Sequence, residues 1–256
     1  MLRSPAFYLE FAADAGCRSG LDSVFVLRDR NRFAAMSRSS FASPLSSLRF
    51  SYDEAAGDRV PEITVLHPCE NVRRRASPAH GWVFGAKFRS ALPTTRWHAD
   101  GAANDDLVAL QHGMMRPEIP LAALVAGMGR FADALRRSIA TDRPSGEAVR
   151  QSSLDRDLSE RTARRRFKAM TGLTPKRHAD LLRFHAALKR ITRGSDSLGQ
   201  VAQSCRFADQ AHLTREFVRR CGLPPGRFVR HWSDRSVRIL QDGVLDPSIR
   251  LAILID

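Results

Sequence analysis

The sequence has little that would place it in a membrane or in an oxidising compartment. None of its 256 residues belongs to a run approaching the ~18 uninterrupted apolar residues that a membrane-spanning helix needs. The first residues lack the apolar run of a signal peptide. The four cysteines, Cys17, Cys69, Cys205 and Cys221, are widely spaced and form no Cys-x-x-Cys pair. We therefore expect a soluble, cytoplasmic protein without a membrane partner, in which Cys205 and Cys221 are reduced, buried thiols.

Acidic residues are also few, and their deficit is uneven along the chain. Lys and Arg number 41 against 27 Asp and Glu, a net charge of +14. Residues 146–256 hold 22 basic and 12 acidic residues, whereas the rest of the chain holds 19 and 15. Codon usage that favours Arg over Lys does not explain why the excess clusters C-terminally. A basic half beside a nearly balanced half predicts a polyanion-binding module joined to another domain.

Motifs of catalysis and cofactor binding are missing from the sequence. It contains no Gly-x-Ser-x-Gly and no catalytic cysteine signature. Residues 127–132 superficially fit a dinucleotide fingerprint, but they lie inside a helical pattern with no preceding strand. His67 and Cys69 lack the His-x-x-x-His or Cys-x-x-Cys partner that a closed metal site needs. We expect no catalytic residues, no metal, no cofactor and no enzymatic activity.

Residues 1–120 predict mostly strands and loops. Short apolar runs at 23–27, 48–52, 62–66 and 81–88 are separated by Pro, Gly, Ser and Asp clusters, a pattern typical of a small sandwich or barrel. The last run alternates with period two, through Trp82, Phe84, Ala86 and Phe88, and so predicts one apolar strand face.

The next segment predicts an amphipathic helix. Apolar residues recur at three- and four-residue steps, at Leu121, Leu124, Val125, Met128, Phe131, Leu135 and Ile139. Dimerisation and burial against its own β-rich domain explain this stripe equally well. Residues 141–146 predict a linker, because Pro144 cannot continue the helix.

Residues 153–232 contain two helix-turn-helix patterns in tandem, each closed by a Gly-x-x-Pro turn. In the second, a helix at 198–205 is followed by a turn at 206–209 and a helix at 210–217. In the first, Leu154 and Leu158 precede a helix at 159–167. A long helix at 175–191 joins the two units. This arrangement can place two recognition helices in successive major-groove segments without a dimer.

The two recognition helices carry the residue types that DNA contact requires. Leu213 and Phe217 anchor the second helix, and Asp209 is its expected N-cap. Phe167 and Ala163 face inward from the first helix, for which Ser159 is the expected cap. Arg can hydrogen-bond guanine through two parallel bonds, and Gln can do the same with adenine. The candidate DNA-binding residues are Arg161, Arg164, Arg165, Lys168, Gln210, Ala211, His212, Thr214, Arg215 and Arg219.

Within that set the expected roles differ. For the arginines at 161, 164, 165 and 215 we favour a DNA contact, and the competing interpretation is a solvated helix surface. For Gln210 a DNA contact and a solvated surface weigh equally. His212 is expected to contact backbone or phosphate rather than a base edge. Lys168, Arg219 and Arg220 are expected to face phosphate or solvent, where a cation adds affinity without sequence information.

Residues 147–232 resemble the DNA-binding domain of the AraC/XylS transcription regulators. The motifs that carry the resemblance are Ser-Glu-Arg-Thr-x-x-Arg-x-Phe-Lys from Ser159 and Ala-Gln-Ser-Cys-x-Phe-Ala-Asp-Gln-x-His-Leu-Thr-Arg-x-Phe from Ala202. The resemblance implies seven helices in two subdomains held by one linking helix. It implies base-reading helices at 159–168 and 210–219. It also implies double-stranded promoter DNA as partner, with RNA polymerase, a small-molecule effector and a second copy of the chain as further candidate partners.

The chain departs from the family pattern at two positions. Arg206 stands where the family usually has Gly and the turn requires a positive φ, at a cost of about 1 kcal/mol. Ala163 replaces a larger aliphatic residue, which predicts looser packing of the first subdomain. Residues 80–89 are similar to a segment of the small β sensor domains of some AraC-type regulators.

The fold that we predict is α+β, a small β-rich sensor-like N-terminal domain followed by an all-α domain with two helix-turn-helix subdomains. The expected boundaries are 1–140 for the sensor or dimerisation domain, 141–146 for the linker, 147–232 for the DNA-binding domain and 233–256 for a tail without an assigned role. A sequence-specific transcription regulator, nucleoid-associated when bound to DNA, is the leading hypothesis. A nonspecific architectural DNA binder and a DNA-tethered enzyme with its catalytic domain in residues 1–120 are the alternatives.

Overall fold

The computed structural model describes residues 6–12, 20–30, 39–53, 61–74, 80–89, 120–141, 159–194, 196–232 and 237–255. An antiparallel β-sheet region precedes a helical region, as the sequence predicts. The strands are β1 Ala6–Ala12, β2 Leu21–Arg30, β3 Ser39–Ser40, β4 Ser46–Asp53, β5 Glu62–Leu66, β6 Arg73–Arg74, β7 His80–Phe88, β8 Val237–Gln241 and β9 Ile249–Ile255. The helices are α1 Leu121–Thr141, α2 Glu160–Thr171, α3 Pro175–Arg193, α4 Leu198–Ser204, α5 Gln210–Cys221 and α6 Pro225–Trp232.

The main sheet has seven strands in the order β5-β4-β7-β2-β1-β9-β8, and β3 pairs separately with β6. One apolar face follows the period-two pattern, since Trp82, Phe84 and Ala86 are all fully buried. The described strands therefore form one large sheet and one small one, where the sequence analysis expected a sandwich or barrel. The reason is that a helix, and not a second sheet, covers the apolar face.

That covering helix is α1. Its side chains Leu124, Met128, Phe131 and Leu135 are buried in one cluster with the sheet, and the rings of Phe131 and Phe50 meet edge to face with centroids 5.9 Å apart. The apolar stripe thus packs against the protein's own sheet. Of the two roles expected for it, dimerisation and burial against the β-rich domain, the structure has the second. The side chain of Ile139 and the linker residues 142–146 lie outside the described part. Residues 127–132 lie within α1, as the helical pattern predicts.

The C-terminal residues complete this sheet. Strand β9 pairs antiparallel with β1, and β8 pairs with β9 at the sheet edge. Ile249, Ala252 and Leu254 of β9 are buried in the same cluster as α1. Residues 233–256 had no assigned role in the sequence. In the structure, residues 237–255 form the two strands beyond β1 in the sheet order, so the chain returns to the sheet after the helical region.

The opposite face of the sheet holds a buried charged cluster around Glu10, whose side chain is only 3% exposed. Its carboxylate accepts hydrogen bonds from Tyr8 (2.5 Å), Ser23 (2.9 Å) and Lys87 (2.5 Å), and it pairs with Arg250 of β9. Burial acts to raise the pKa of Glu10, but Lys87 and Arg250 outweigh it and hold that pKa well below the ordinary value. The ionised carboxylate therefore joins strands β1, β7 and β9.

The helical region has its own core, centred on α3. Buried apolar side chains from α3, α4, α5 and α6 form one cluster that includes Phe184, Leu213, Phe217 and Phe228. Local signals explain the helix boundaries. Ser197 and Gln200 form a reciprocal capping box at the start of α4, and glycines in the left-handed conformation end α2, α3 and α5. None of the helices in the described ranges is long and apolar enough to span a lipid bilayer.

Candidate DNA-binding interface

The second helix-turn-helix unit consists of α4, a tight turn and α5. Arg206 occupies the turn with φ +58°, the left-handed conformation that the sequence predicted for this position. Phe207 is buried and its backbone N–H donates to the Ala202 carbonyl at 2.9 Å. Asp209 caps α5, because its carboxylate accepts the His212 backbone N–H at 2.5 Å. The turn thereby sets the angle between the two helices.

The strained turn supports a stability prediction. Arg206→Gly raises the free energy of unfolding by about 0.5 kcal/mol, because relief of about 1–2 kcal/mol of left-handed strain exceeds the added freedom of the unfolded chain. The matched control is Gly194→Ala, at φ +70° with open space around a new Cβ. It lowers stability by about 1 kcal/mol through backbone strain alone. Urea denaturation measures the change in unfolding free energy of each variant. A clear loss of stability in Arg206→Gly would contradict backbone strain at Arg206.

The outward face of α5 carries most of the predicted contacts of the second unit. Gln210, Ala211 and Arg215 are exposed, while Thr214 is half-buried and donates its hydroxyl to the Gln210 carbonyl at 2.9 Å. Leu213 and Phe217 are fully buried on the opposite face, as predicted. The helix therefore separates an anchoring face from a polar face available to a groove.

His212 supports the turn from inside the unit. Its Nδ1 accepts the Ala208 backbone N–H at 3.4 Å, and its ring meets Phe207 edge to face at 5.5 Å. Because Nδ1 is an acceptor here, Nε2 carries the proton of the neutral ring. That His212 contacts the DNA backbone or a phosphate rather than a base edge stays a prediction.

The first recognition helix, α2, is far more exposed than α5. Thr171 is its one buried residue, and Phe167 is half-buried with its ring 5.3 Å from that of His178. Ala163 was expected to face inward, but it is exposed; the ring contact between α2 and α3 lies one turn further along the helix, at Phe167. Ser159 is the N-cap residue but makes no capping hydrogen bond to the backbone. Its hydroxyl lies 3.0 Å from that of Thr162.

The exposed surface of α2 is strongly basic. Arg164 forms an exposed ion pair with Glu160 at 2.5 Å, a kind of contact that contributes little stability and can exchange for a phosphate. Among the residues that the structure describes, none pairs with the exposed cations Arg161, Arg165, Lys168 and, on α5, Arg215. As far as the described residues go, these four cations on the two recognition helices are therefore available to a polyanion.

Two neighbouring arginines at the end of α5 have different roles. Arg219 is exposed and pairs with Glu216 at 2.7 Å. Arg220 was expected to face phosphate or solvent, but it is only 2% exposed and pairs with the same carboxylate at 2.8 Å. Burial acts to raise the pKa of Glu216, but the two arginines outweigh it and lower that pKa. Arg220 falls on the buried stripe of α5, three residues after Phe217, and this spacing was a signal available in the sequence.

Among the residues that the structure describes, three cysteines are free and buried: Cys69, Cys205 and Cys221. The two in the helical core confirm the expectation for that pair. Burial raises the pKa of Cys221 to about 12, so its thiol stays protonated and acts as a small apolar side chain.

Comparisons with known proteins match the helical region. A model of the helix-turn-helix domain family matches residues 156–231. The HTH-type transcriptional activator RhaS of Escherichia fergusonii is 40% identical over 81 residues, which are 32% of this chain and 29% of that protein. RhaS of Pectobacterium carotovorum is 36% identical over 74 residues, or 29% and 26% of the two chains. The chain thus covers less than a third of the length of these curated relatives.

Among solved structures, ToxT from Vibrio cholerae O395 aligns over 90% of this chain and 98% of its own, with a TM-score of 0.39 and 8% identity.

Residues 156–231 therefore belong to the helix-turn-helix domain family. Within that family the region is of the AraC type, since the RhaS activators match the same C-terminal region.

Proposed function

We propose that this protein is a transcription regulator that binds promoter DNA through α2 and α5, each in a major-groove segment on one face of the duplex. The observation that carries the proposal is the repeated placement of an exposed basic or polar helix face at the same point of two helix-turn-helix units. Bound to B-DNA, such helices lie about 34 Å, or one helical turn, apart.

The residues divide into base readers and phosphate contacts in this proposal. Arg161, Arg165 and Arg215 are exposed and unpaired within the described chain, and Gln210 is exposed at the start of α5. These side chains have the donor geometry for guanine or adenine edges. Arg164, Lys168 and Arg219 hold the phosphate backbone, with Ala211, His212 and Thr214 completing the surface.

The same proposal divides the chain into a sensing part, residues 1–140, a linker at 141–146 and a DNA-binding part, residues 147–232. Its support is the direct contact between the sheet region and the helical region, through which a change in one can reach the other. A small-molecule effector is the expected signal, and RNA polymerase and a second copy of the chain are further partners of this proposal.

A mutation series tests the base readers. Arg165→Ala and Arg215→Ala each weaken binding to the preferred site by about 1–3 kcal/mol, roughly five- to 150-fold, because each removes a bidentate contact to a base edge. Binding to unrelated duplexes changes far less. Fluorescence anisotropy with specific and scrambled duplexes at fixed salt measures both affinities.

Two control variants separate base reading from charge. Lys168→Ala lowers affinity for all duplexes alike and reduces the slope of log affinity against log salt by about 1. Arg130→Ala removes one exposed arginine from α1, outside the helix-turn-helix units, and leaves binding unchanged. Wild-type affinity and specificity in both Arg165→Ala and Arg215→Ala would show that other residues read the DNA.

A further inference from the structure

Two short segments of the sheet region contact both helix-turn-helix units. Residues 41–43 and 67–72 are held together by a backbone bridge, in which Ser43 and Cys69 exchange hydrogen bonds of 2.9 and 3.0 Å. The thiol of Cys69 also points to the Phe41 carbonyl at 3.7 Å. We call these two segments together the bracket. The helix-turn-helix patterns in the sequence gave no sign of it.

One side of the bracket contacts the first unit where α2 ends. A Cβ placed on Gly172, the left-handed residue that terminates α2, would lie 3.7 Å from the Pro68 ring. Glu70 forms an ion pair of 2.9 Å with Arg177 in the first turn of α3. Ala42 is fully buried in a small cluster with Leu173, from the turn after α2, and Leu181 of α3.

The other side of the bracket contacts the second unit where α5 ends. The Ala42 backbone N–H donates to the Arg220 carbonyl at 3.0 Å, and the Val72 N–H donates to the Arg219 carbonyl at 3.3 Å. The last carbonyls of a helix have no partner within the helix, so these bonds satisfy acceptors that α5 itself leaves open. Phe41 packs on the helical core, with its ring centroid 6.1 Å from that of Phe228.

The middle of α3 is joined to the bracket as well. His185 Nε2 lies 2.8 Å from the Ala42 carbonyl, and since a carbonyl only accepts, Nε2 carries the proton. Burial lowers the pKa of His185 to about 4, with Lys87 and Arg220 acting in the same direction, and the Ala42 bond and Glu10 opposing them. The ring is therefore neutral at physiological pH and keeps this contact.

We propose that the bracket sets the separation and rotation of the two recognition helices, and thereby the spacing of the two half-elements in the DNA site. Residues 41–43 and 67–72 are then specificity-determining although they lie outside the helix-turn-helix units. The linking helix alone gives α2 little support, because Thr171 is its one buried residue. The bracket adds contacts at the C-terminal ends of both recognition helices. This proposal rests on the proposed DNA-binding function.

The geometry can be tested without DNA. Spin labels on Ala169 of α2 and Arg227 of α6, both exposed and outside the predicted contacts, report the distance between the units. Labels attached through encoded non-cysteine residues avoid the native thiols. The full-length wild type gives one narrow distance distribution. Ala42→Asp, which places a charge among Leu173 and Leu181, gives a broad or shifted distribution.

A charge-swap pair protects the test against misfolding of Ala42→Asp. Glu70→Arg faces Arg177 with a like charge and broadens the distribution, and the double variant Glu70→Arg with Arg177→Glu restores the wild-type distribution. Circular dichroism establishes that each variant is folded. Identical narrow distributions in the wild type and every folded variant would overturn the proposal, because α3 would then hold the units unaided.

The consequence for DNA is measured as binding affinity for a series of duplexes that differ in the spacing of the two half-elements. The spacings run from two base pairs below to two base pairs above the preferred spacing, which is near 10 base pairs. The wild type prefers one spacing over its neighbours by at least tenfold. Glu70→Arg reduces this preference to less than threefold, with base preferences inside each half-element unchanged, and the swap restores it. If Glu70→Arg broadens the distance distribution but leaves the preference for one half-element spacing unaltered, the link between the bracket and DNA specificity is overturned.

If no duplex is bound specifically, the proposed function fails, while the spin-label distances still decide whether the bracket orients the units.

Discussion

Phe217→Ala lowers the free energy of unfolding of the helical region by about 3–5 kcal/mol. Phe217 is fully buried, and its ring centroid lies 5.4 Å from that of Phe184 and 5.3 Å from that of Phe228. Removing it opens a cavity at the point where α3, α5 and α6 meet. A domain is typically stable by about 5–15 kcal/mol, so this variant loses a large part of its margin.

The matched control is Phe167→Ala, at the corresponding position of the first unit. Phe167 is half-buried and has one edge contact with His178, so this change costs about 1 kcal/mol. The loss of unfolding free energy in Phe217→Ala is measured by hydrogen exchange of the amides in α5 and α6. Hydrogen exchange resolves the stability of each region, and this matters because the whole chain need not unfold in one step. Equal losses at the two positions would contradict the unequal packing of the two units.

Glu10→Ala destabilises the sheet region by about 3 kcal/mol, because it leaves Lys87 without its carboxylate partner and Arg250 with Asp22 alone. The figure is at the low end for a broken buried pair, since Lys87 is 27% exposed and Arg250 41% exposed and both can turn to water. Glu62→Ala, at an exposed position on edge strand β5, costs less than about 0.5 kcal/mol and controls for loss of a carboxylate.

The stabilisation by Glu10 depends on pH in a defined direction. Its folded-state pKa lies below the ordinary value of 4.5, so the unfolded state takes up the proton first as the pH falls. The contribution is complete above pH 4.5 and is lost progressively below it. The difference in stability between wild type and Glu10→Ala therefore shrinks in acid. Thermal denaturation at pH 7 and pH 3 measures it, and a difference that grows in acid would contradict the ionised state of Glu10.

Local signals in the sequence predicted the parts of the fold that depend on local physics. Asp209 precedes a helix as an acceptor for free N–H groups, and the stripe of α1 repeats with helical period. The positive φ at Arg206 was implied by the resemblance to the AraC/XylS family, in which Gly usually stands at that turn position. The structure has the cap, the left-handed turn and the buried stripe. The cap and the stripe are visible in the sequence because each depends on residue types at short, regular spacings.

The features that the sequence analysis missed depend on pairing between distant residues. Strand β9 pairs with β1 across nearly the whole chain, and a seven-residue apolar strand does not specify its partner. The bracket joins Ala42 and Val72 to the backbone carbonyls of Arg220 and Arg219, which have no side-chain signature in a sequence. The single sheet also differs from the predicted sandwich, because strand spacing does not tell whether a helix or a second sheet covers the apolar face.

Selection of bound sequences from random duplex DNA, with the full-length protein at physiological salt, is the most direct test of the central claim. Two base-reading helices held at a fixed separation predict an enriched motif with two half-elements about one helical turn apart, near 10 base pairs. Arg165→Ala and Arg215→Ala then each relax the base preference in a different half-element. Tight, salt-sensitive binding without any enriched motif, with or without candidate effectors, would contradict a sequence-specific regulator and indicate an architectural DNA binder.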